Sequence, residues 1–267
     1  MRFSVLGFIA AVSAVLLSAG CAFFSGGGAS EELGPKFEVP PILKVGVLRE
    51  GVSNNVVDDL ERSLLALLEK RRGVIVERAE YSREEILFAL RHGEVDVIAA
   101  GLTDADIKAA FLRPCAKHLP TGRRVAVHKD IAPFITDLKQ LDNGKVVVYT
   151  VAGTVSSDWA SKLFRRARKA SLKDTPSCVA AVSKGTGGVF LLGPVEAWRL
   201  FTEPESQSKT TNLRLALGPL TRERLAWAVR RGDTTLANAL DEFMENAVKR
   251  GELKRLVEKS GAEAINR

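Results

Sequence analysis

Hydrophobic and polar positions fall into three regimes along this chain. An almost unbroken apolar run covers residues 3–17. A Gly-, Ser- and Pro-rich stretch without periodicity follows to residue 41, and from residue 42 strand-like runs alternate with helical spacing. Residues 44–48 read as a buried strand, and Val57, Leu60, Leu64, Leu67 and Leu68 recur at helical spacing through Lys70. A second strand is predicted over 74–77. Ser82 with Glu85 three residues on has the pattern of a capping box before a helix carrying Ile86, Leu87 and Leu90 that stops at Gly93. Residues 95–100 give the next strand, and this alternation predicts a parallel sheet with helices on both faces.

After Pro120 the pattern restarts. Residues 123–129 read as a strand, 135–141 as a short helix, and 145–150 as a strand running into Gly153-Thr154 and a helix over 157–169. Residues 178–184 hold at most two helical turns, 189–192 form a strand, and Pro194 suits the first position of a helix to Phe201. After a polar loop over 202–212, residues 213–217 and 225–229 read as extended. A helix then starts at Asp233 with Leu236, Ala239, Leu240 and Phe243 on one face, and a last helix covers 252–259. The fold class expected is α/β, in two lobes with a sheet each.

The apolar run is too short to span a bilayer, which takes roughly 20 apolar residues. With Met1-Arg2 before it and Ser18-Ala19-Gly20 after it, the run reads as a removable export signal. Leu17-Ser18-Ala19-Gly20-Cys21 resembles the lipobox of bacterial lipoproteins, with its Leu one residue further from the cysteine than is usual. That resemblance implies acylation of Cys21 and a membrane lipid anchor. Residues 1–21 are then a signal peptide and 22–41 a flexible tether.

The sequence is 46% hydrophobic, 27% charged and 6% aromatic, the composition of an ordinary globular protein. Lys and Arg number 39 against 32 Asp and Glu, giving a net charge of +7, but both signs are interspersed. No nucleic-acid partner is expected. The densest basic clusters, Lys70-Arg71-Arg72 and residues 165–169, are expected at helix ends, where the dipole favours cations. Three Cys and three His without metal-ligand spacing argue against a metal site, and no cofactor is expected.

Residues 90–103, Leu-Arg-His-Gly-Glu-Val-Asp-Val-Ile-Ala-Ala-Gly-Leu-Thr, resemble the signature stretch of family 3 periplasmic solute-binding proteins, the amino-acid-binding components of ABC importers. They also resemble the non-catalytic domain of membrane-bound lytic transglycosylase F, which shares that fold. Phe111 and Pro114, Gly153-Thr154, residues 225–233 with Leu236, and Gly251-Glu252-Leu253 match further family motifs in order. The resemblance implies two lobes joined by two hinge strands, lobe one over 42–124 and 218–267 and lobe two over 125–217. A small-molecule ligand would lie between them, for delivery to an ABC permease at the cell envelope, on the periplasmic face of a bacterial membrane. A monomer is expected.

By the same resemblance Thr103, Lys108, Gly153, Thr154 and Ser156 are candidate ligand-binding residues. Lys108 stands where the family has an arginine for the ligand's carboxylate, and Gly153-Thr154 opens a helix whose N-terminus favours an anion. The family's ammonium-binding Asp is replaced by Gly193-Pro194, and the opening turn, 49–55, has no aromatic residue. An anionic or amino-acid-like solute is the expectation. No catalytic constellation accompanies these residues, and the chain ends where the binding fold does, so no enzyme is expected. The alternative is a sensor or cell-envelope interaction module. Cys115 and Cys178 are either a disulfide across the lobes or two buried apolar side chains.

Overall fold

The computed structural model describes residues 39–49 and 56–266, apart from the side chains of residues 83, 84, 204 and 205. The export signal, the Cys21 lipobox, nearly all of the tether and the turn at 50–55 lie outside the described residues.

The first part of the fold is β1 (Ile42–Leu48), α1 (Val56–Arg72), β2 (Ile75–Tyr81), α2 (Arg83–His92), β3 (Val97–Thr103), α3 (Asp104–Ala109) and β4 (Arg113–Thr121). Local chemistry explains the boundaries. Ser82 and Glu85 close the reciprocal capping box of α2, and Gly93 ends that helix at φ 76°, its N–H reaching the carbonyls of Ala89 and Leu90. Lys70, Arg71 and Arg72 do fall in the last turn of α1.

The chain then crosses at Gly122-Arg123 into β5 (Arg124–His128), two 3-10 turns (Ala132–Phe134 and Leu138–Gln140), β6 (Val147–Val151), α4 (Val155–Leu163), β7 (Arg168–Leu172), α5 (Thr175–Ser183), β8 (Gly188–Leu192), α6 (Pro194–Thr202), α7 (Pro204–Gln207) and β9 (Leu213–Leu215). It returns to β10 (Glu223–Val229), α8 (Thr234–Lys249), α9 (Glu252–Ser260) and a final 3-10 turn (Ala262–Asn266).

Two five-stranded sheets result, ordered β2-β1-β3-β10-β4 and β7-β6-β8-β5-β9. Each has three parallel strands, then a reversed strand and a fifth antiparallel to it. Hydrophobic clusters cover both faces of each sheet, and all seven residues of β3 are buried. Truncating a core leucine such as Leu64 in these layers costs about 2–5 kcal/mol. Among the described residues no helix is long and apolar enough to cross a membrane.

Two local expectations are corrected, and one strand was not predicted. The helix over 157–169 stops at Leu163, and residues 168–172 are strand β7. Asp142 Oδ1 accepts the N–H groups of Arg166 (2.6 Å) and Ala167 (2.9 Å), which fixes the intervening turn. Ala160, Phe164 and Ala167 all enter one core, so their spacing imitates a longer helix. The basic residues 165–169 therefore belong to a turn and strand, not a helix end. The segment 135–141 is 3-10 turn and loop, because Gln140 folds back to accept from the N–H groups of Thr136 and Asp137. Finally, residues 113–121 are a strand, where Pro114 and Pro120 are tolerated because β4 lies at a sheet edge.

Strand β4 also carries a bulge. Leu225 of β10 faces Leu119 but Trp227 faces Cys115, so residues 116–118 oppose Ala226 alone. Ala116 has φ 47°, and its N–H is held by Asp241 Oδ1 at 2.7 Å.

Candidate functional site

The two segments that cross between the sheets are tied to each other. Arg123 N donates to Thr221 Oγ1 at 2.8 Å, and Leu220 N donates to Arg123 O at 2.8 Å. Gly122 is required here, since a Cβ would lie 2.1 Å from the Thr221 carbonyl oxygen. This close approach delivers Arg123, 3% exposed, into the space between the sheets.

Its guanidinium gathers partners from four elements. Nε donates to Glu223 Oε1 (3.1 Å) and Nη2 to Glu223 Oε2 (3.0 Å), a two-point grip from the start of β10. Nη2 also reaches Asp106 Oδ1 at 2.8 Å and Thr103 Oγ1 at 3.2 Å, and Nη1 reaches Ser156 Oγ of α4 at 3.3 Å. Thr221 Oγ1 donates to Glu223 Oε1 at 2.5 Å. Burial works against the charge of Arg123, but Asp106 and Glu223 outweigh it and hold its pKa above the ordinary arginine value. Gly193 is what leaves room: a Cβ there would lie 3.2 Å from Nη1.

Of the sequence-predicted residues, Thr103 and Ser156 meet at this guanidinium. Thr103 N-caps α3, with Asp106 completing a capping box. Gly153 (φ 73°) and Thr154 are exposed at the start of α4, and Thr154 Oγ1 donates back to Val151 O at 2.7 Å instead of capping a helix N–H. Lys108 is 62% exposed and pairs with Asp104, 3.8 Å away. Arg123 and Glu223 escaped sequence reading. The available signal was a charged pair, Arg123-Arg124, opening an apolar strand: both faces of the sheet are covered, and both arginines are 3% exposed.

Direct contacts between the lobes surround the cluster. Val195 of α6 joins the first lobe's core with Val57, and a Cβ on Gly101 would lie 2.9 Å from Val57 and 3.5 Å from Val195. Arg199 of α6 lies 3.5 Å from Asp58 of α1. A cavity of about 330 Å³ sits in the first lobe, lined by Val47, Asp58, Glu61, Arg78 and Glu80 among others.

A second buried polar cluster lies in the first lobe. Glu61, 2% exposed, accepts from Trp227 Nε1 (2.5 Å) and Gly101 N (3.2 Å). His118, carried inward by the β4 bulge, places Nε2 3.4 Å from Glu61 Oε1 while Nδ1 lies 2.8 Å from Ala116 O. Burial disfavours the imidazolium, but Glu61 and the Ala116 carbonyl outweigh it and raise the His118 pKa. Among the described residues no group of three or more His, Cys, Asp or Glu could hold a metal ion. Cys115 and Cys178 are free thiols in separate cores, one in each lobe, which removes the disulfide alternative.

Two α/β lobes joined by two crossing segments, with polar side chains of both converging between them, define a two-lobed binding-protein fold. The chain belongs to the bacterial extracellular solute-binding proteins, family 3, whose model matches residues 54–263. Solved structures agree on the fold. A binding component of an ABC transporter from Wolinella succinogenes, complexed with lysine, has a TM-score of 0.63 and 20% identity, covering 83% of this chain and 96% of its own. An ancestral amino-acid-binding protein, a precursor of cyclohexadienyl dehydratase, has a TM-score of 0.60 and 22% identity over 82% and 94%. An amino-acid ABC-transporter substrate-binding protein from Streptococcus pneumoniae, bound to L-arginine, has a TM-score of 0.59 and 16% identity over 85% and 97%. No curated protein sequence matches the chain.

Proposed function

We propose that this protein is a lipid-anchored, non-enzymatic solute-binding protein that takes a small amino-acid-like or anionic solute in the interlobe cleft and presents it to an ABC importer. Acylation at Cys21 would hold it at the periplasmic face of the membrane, with residues 22–41 as the tether. Thr103 and Ser156 lie at the point of closure, Gly153 and Thr154 would complete the solute's surroundings, and Lys108 would contribute its charge through solvent from its exposed position. The observation that carries this reading is the convergence of Thr103 and Ser156, from opposite lobes, on one buried guanidinium, so that the lobes close about a polar group. Family membership supports it, as do the amino acids bound by two of the structural neighbours.

A thermal-shift screen of amino acids and small carboxylates tests it. A solute specific to the folded state raises Tm with its concentration; at 100 times Kd the stabilisation is about 2.7 kcal/mol. The second reading, a sensor or envelope interaction module, is favoured by the packing of Val195 and Arg123 into the cleft. It gains if no solute raises Tm.

A further inference from the structure

The polar groups at the point of closure already have an occupant. Asp106 and Glu223 offer two carboxylates, and Thr103 and Ser156 two hydroxyls, and all four are engaged by Arg123 of the crossing segment. The guanidinium is compensated from within the protein: it is buried between two carboxylates, where an unpaired cation would be strongly disfavoured. Gly193 supplies the space beside Nη1. Val195 against Gly101 and Val57, and Arg199 toward Asp58, brace the same closure.

We propose that Arg123 is a resident ligand of the cleft, its guanidinium holding the two lobes together in the absence of solute. The cage is therefore a guanidinium site filled from within. Because Arg123 N and O are bonded to Thr221 and Leu220, the group that closes the cleft is fixed to the hinge itself. An entering solute must compete with Arg123 for Thr103 and Ser156 or wait for an open minority form, and either lowers its apparent affinity. This last step rests on the cleft being the solute site; closure by Arg123 does not.

The test uses the full chain carrying Cys21→Ser, with spin labels at Lys139→Cys and Lys254→Cys, exposed positions in lobe two and lobe one. Cys115 and Cys178 are fully buried and stay unlabelled. Expected without any solute is a single narrow interlobe distance in the parent. In Arg123→Ala the distribution broadens to longer distances, and Tm falls by about 10 °C. Guanidinium ion at millimolar concentration, well below denaturing levels, should raise the Tm of Arg123→Ala and restore the narrow distance. Should Arg123→Ala not fold, Arg123→Gln, which loses the charge and the fork but keeps a long polar side chain, is read for the same broadening.

A parent that is open without solute overturns the proposal. So does a folded variant that keeps the narrow distance, or guanidinium that fails to raise the Tm of Arg123→Ala. The outcomes separate the two readings: a closed parent that no solute stabilises defeats transport and leaves Arg123 closure standing. An open parent that closes on a solute does the reverse.

Discussion

Two buried carboxylate clusters in this molecule use the same physics for different ends. Around Glu61, the partners Trp227, Gly101 and His118 all belong to one lobe, and the cluster fixes the β4 bulge against α1 and the sheet. Around Arg123, the partners come from both lobes and from the crossing segments. Each cluster takes charged groups out of water, a cost that opposite charges at close range offset. What differs is what breaks with the pairing: in the first case the integrity of a core, in the second the relation between two cores.

The sharpest way to break the comparison is Glu61→Leu. It strands the Trp227 indole N–H and the Gly101 N–H without their acceptor and His118 without its counter-charge, and should cost about 3–5 kcal/mol in a denaturant melt. Unlike Arg123→Ala, it should leave the interlobe distance of the folded protein unchanged. Glu61→Gln, which keeps one acceptor oxygen, should cost less. If Glu61→Leu broadened the interlobe distance as well, the two clusters would be one coupled network rather than two independent devices.

A smaller effect separates the clusters by pH. The folded state raises the pKa of His118 above its ordinary 6.5, so it favours the imidazolium more than the unfolded chain does. The stabilisation is fully present below about pH 6.5 and is lost as pH rises through the higher folded value. Melts across this range should show wild-type stability declining where His118→Gln stays flatter. Arg123 keeps its charge throughout, so its closure should not follow that decline. Wild-type and His118→Gln curves that run parallel would mean the histidine is neutral in the fold.

How much of this was legible in the sequence follows from the range of the interactions. The α2 capping box, Pro194 opening α6, Asp233 capping α8 and the apolar run that opens β3 were legible because each is settled within a few residues. Strand β4 was not, since its prolines deny it a strand signature and only its edge position makes them harmless. The end of α4 was hidden because Phe164 and Ala167 reach the core at helical spacing from a turn that distant Asp142 fixes. Thr103 and Ser156 came from family resemblance. Arg123 had no local motif, since two of its carboxylate contacts lie 17 and 100 positions away in the chain.

The smallest expected effect concerns Lys108, which lies on the helix that Thr103 caps but does not share its surroundings. Thr103 is the buried, extended N-cap at the end of β3, held by Asp106, whereas Lys108 lies exposed in the last turn of the short helix that follows. Lys108 meets Asp104 at 3.8 Å, and Lys117 lies 3.5 Å from the same carboxylate oxygen. In Lys108→Met, Asp104 therefore keeps a cation, and stability should change by no more than about 0.5 kcal/mol. For the cleft, the lost charge acts through solvent and across a competing pair, so the affinity of a solute found by thermal shift should fall no more than about three-fold, well under 1 kcal/mol. Calorimetry showing a ten-fold or larger loss would place the ammonium in direct contact with the solute, swung away from Asp104. The comparison would then change, because the cleft would hold a second cation working beside Arg123 on an anionic group.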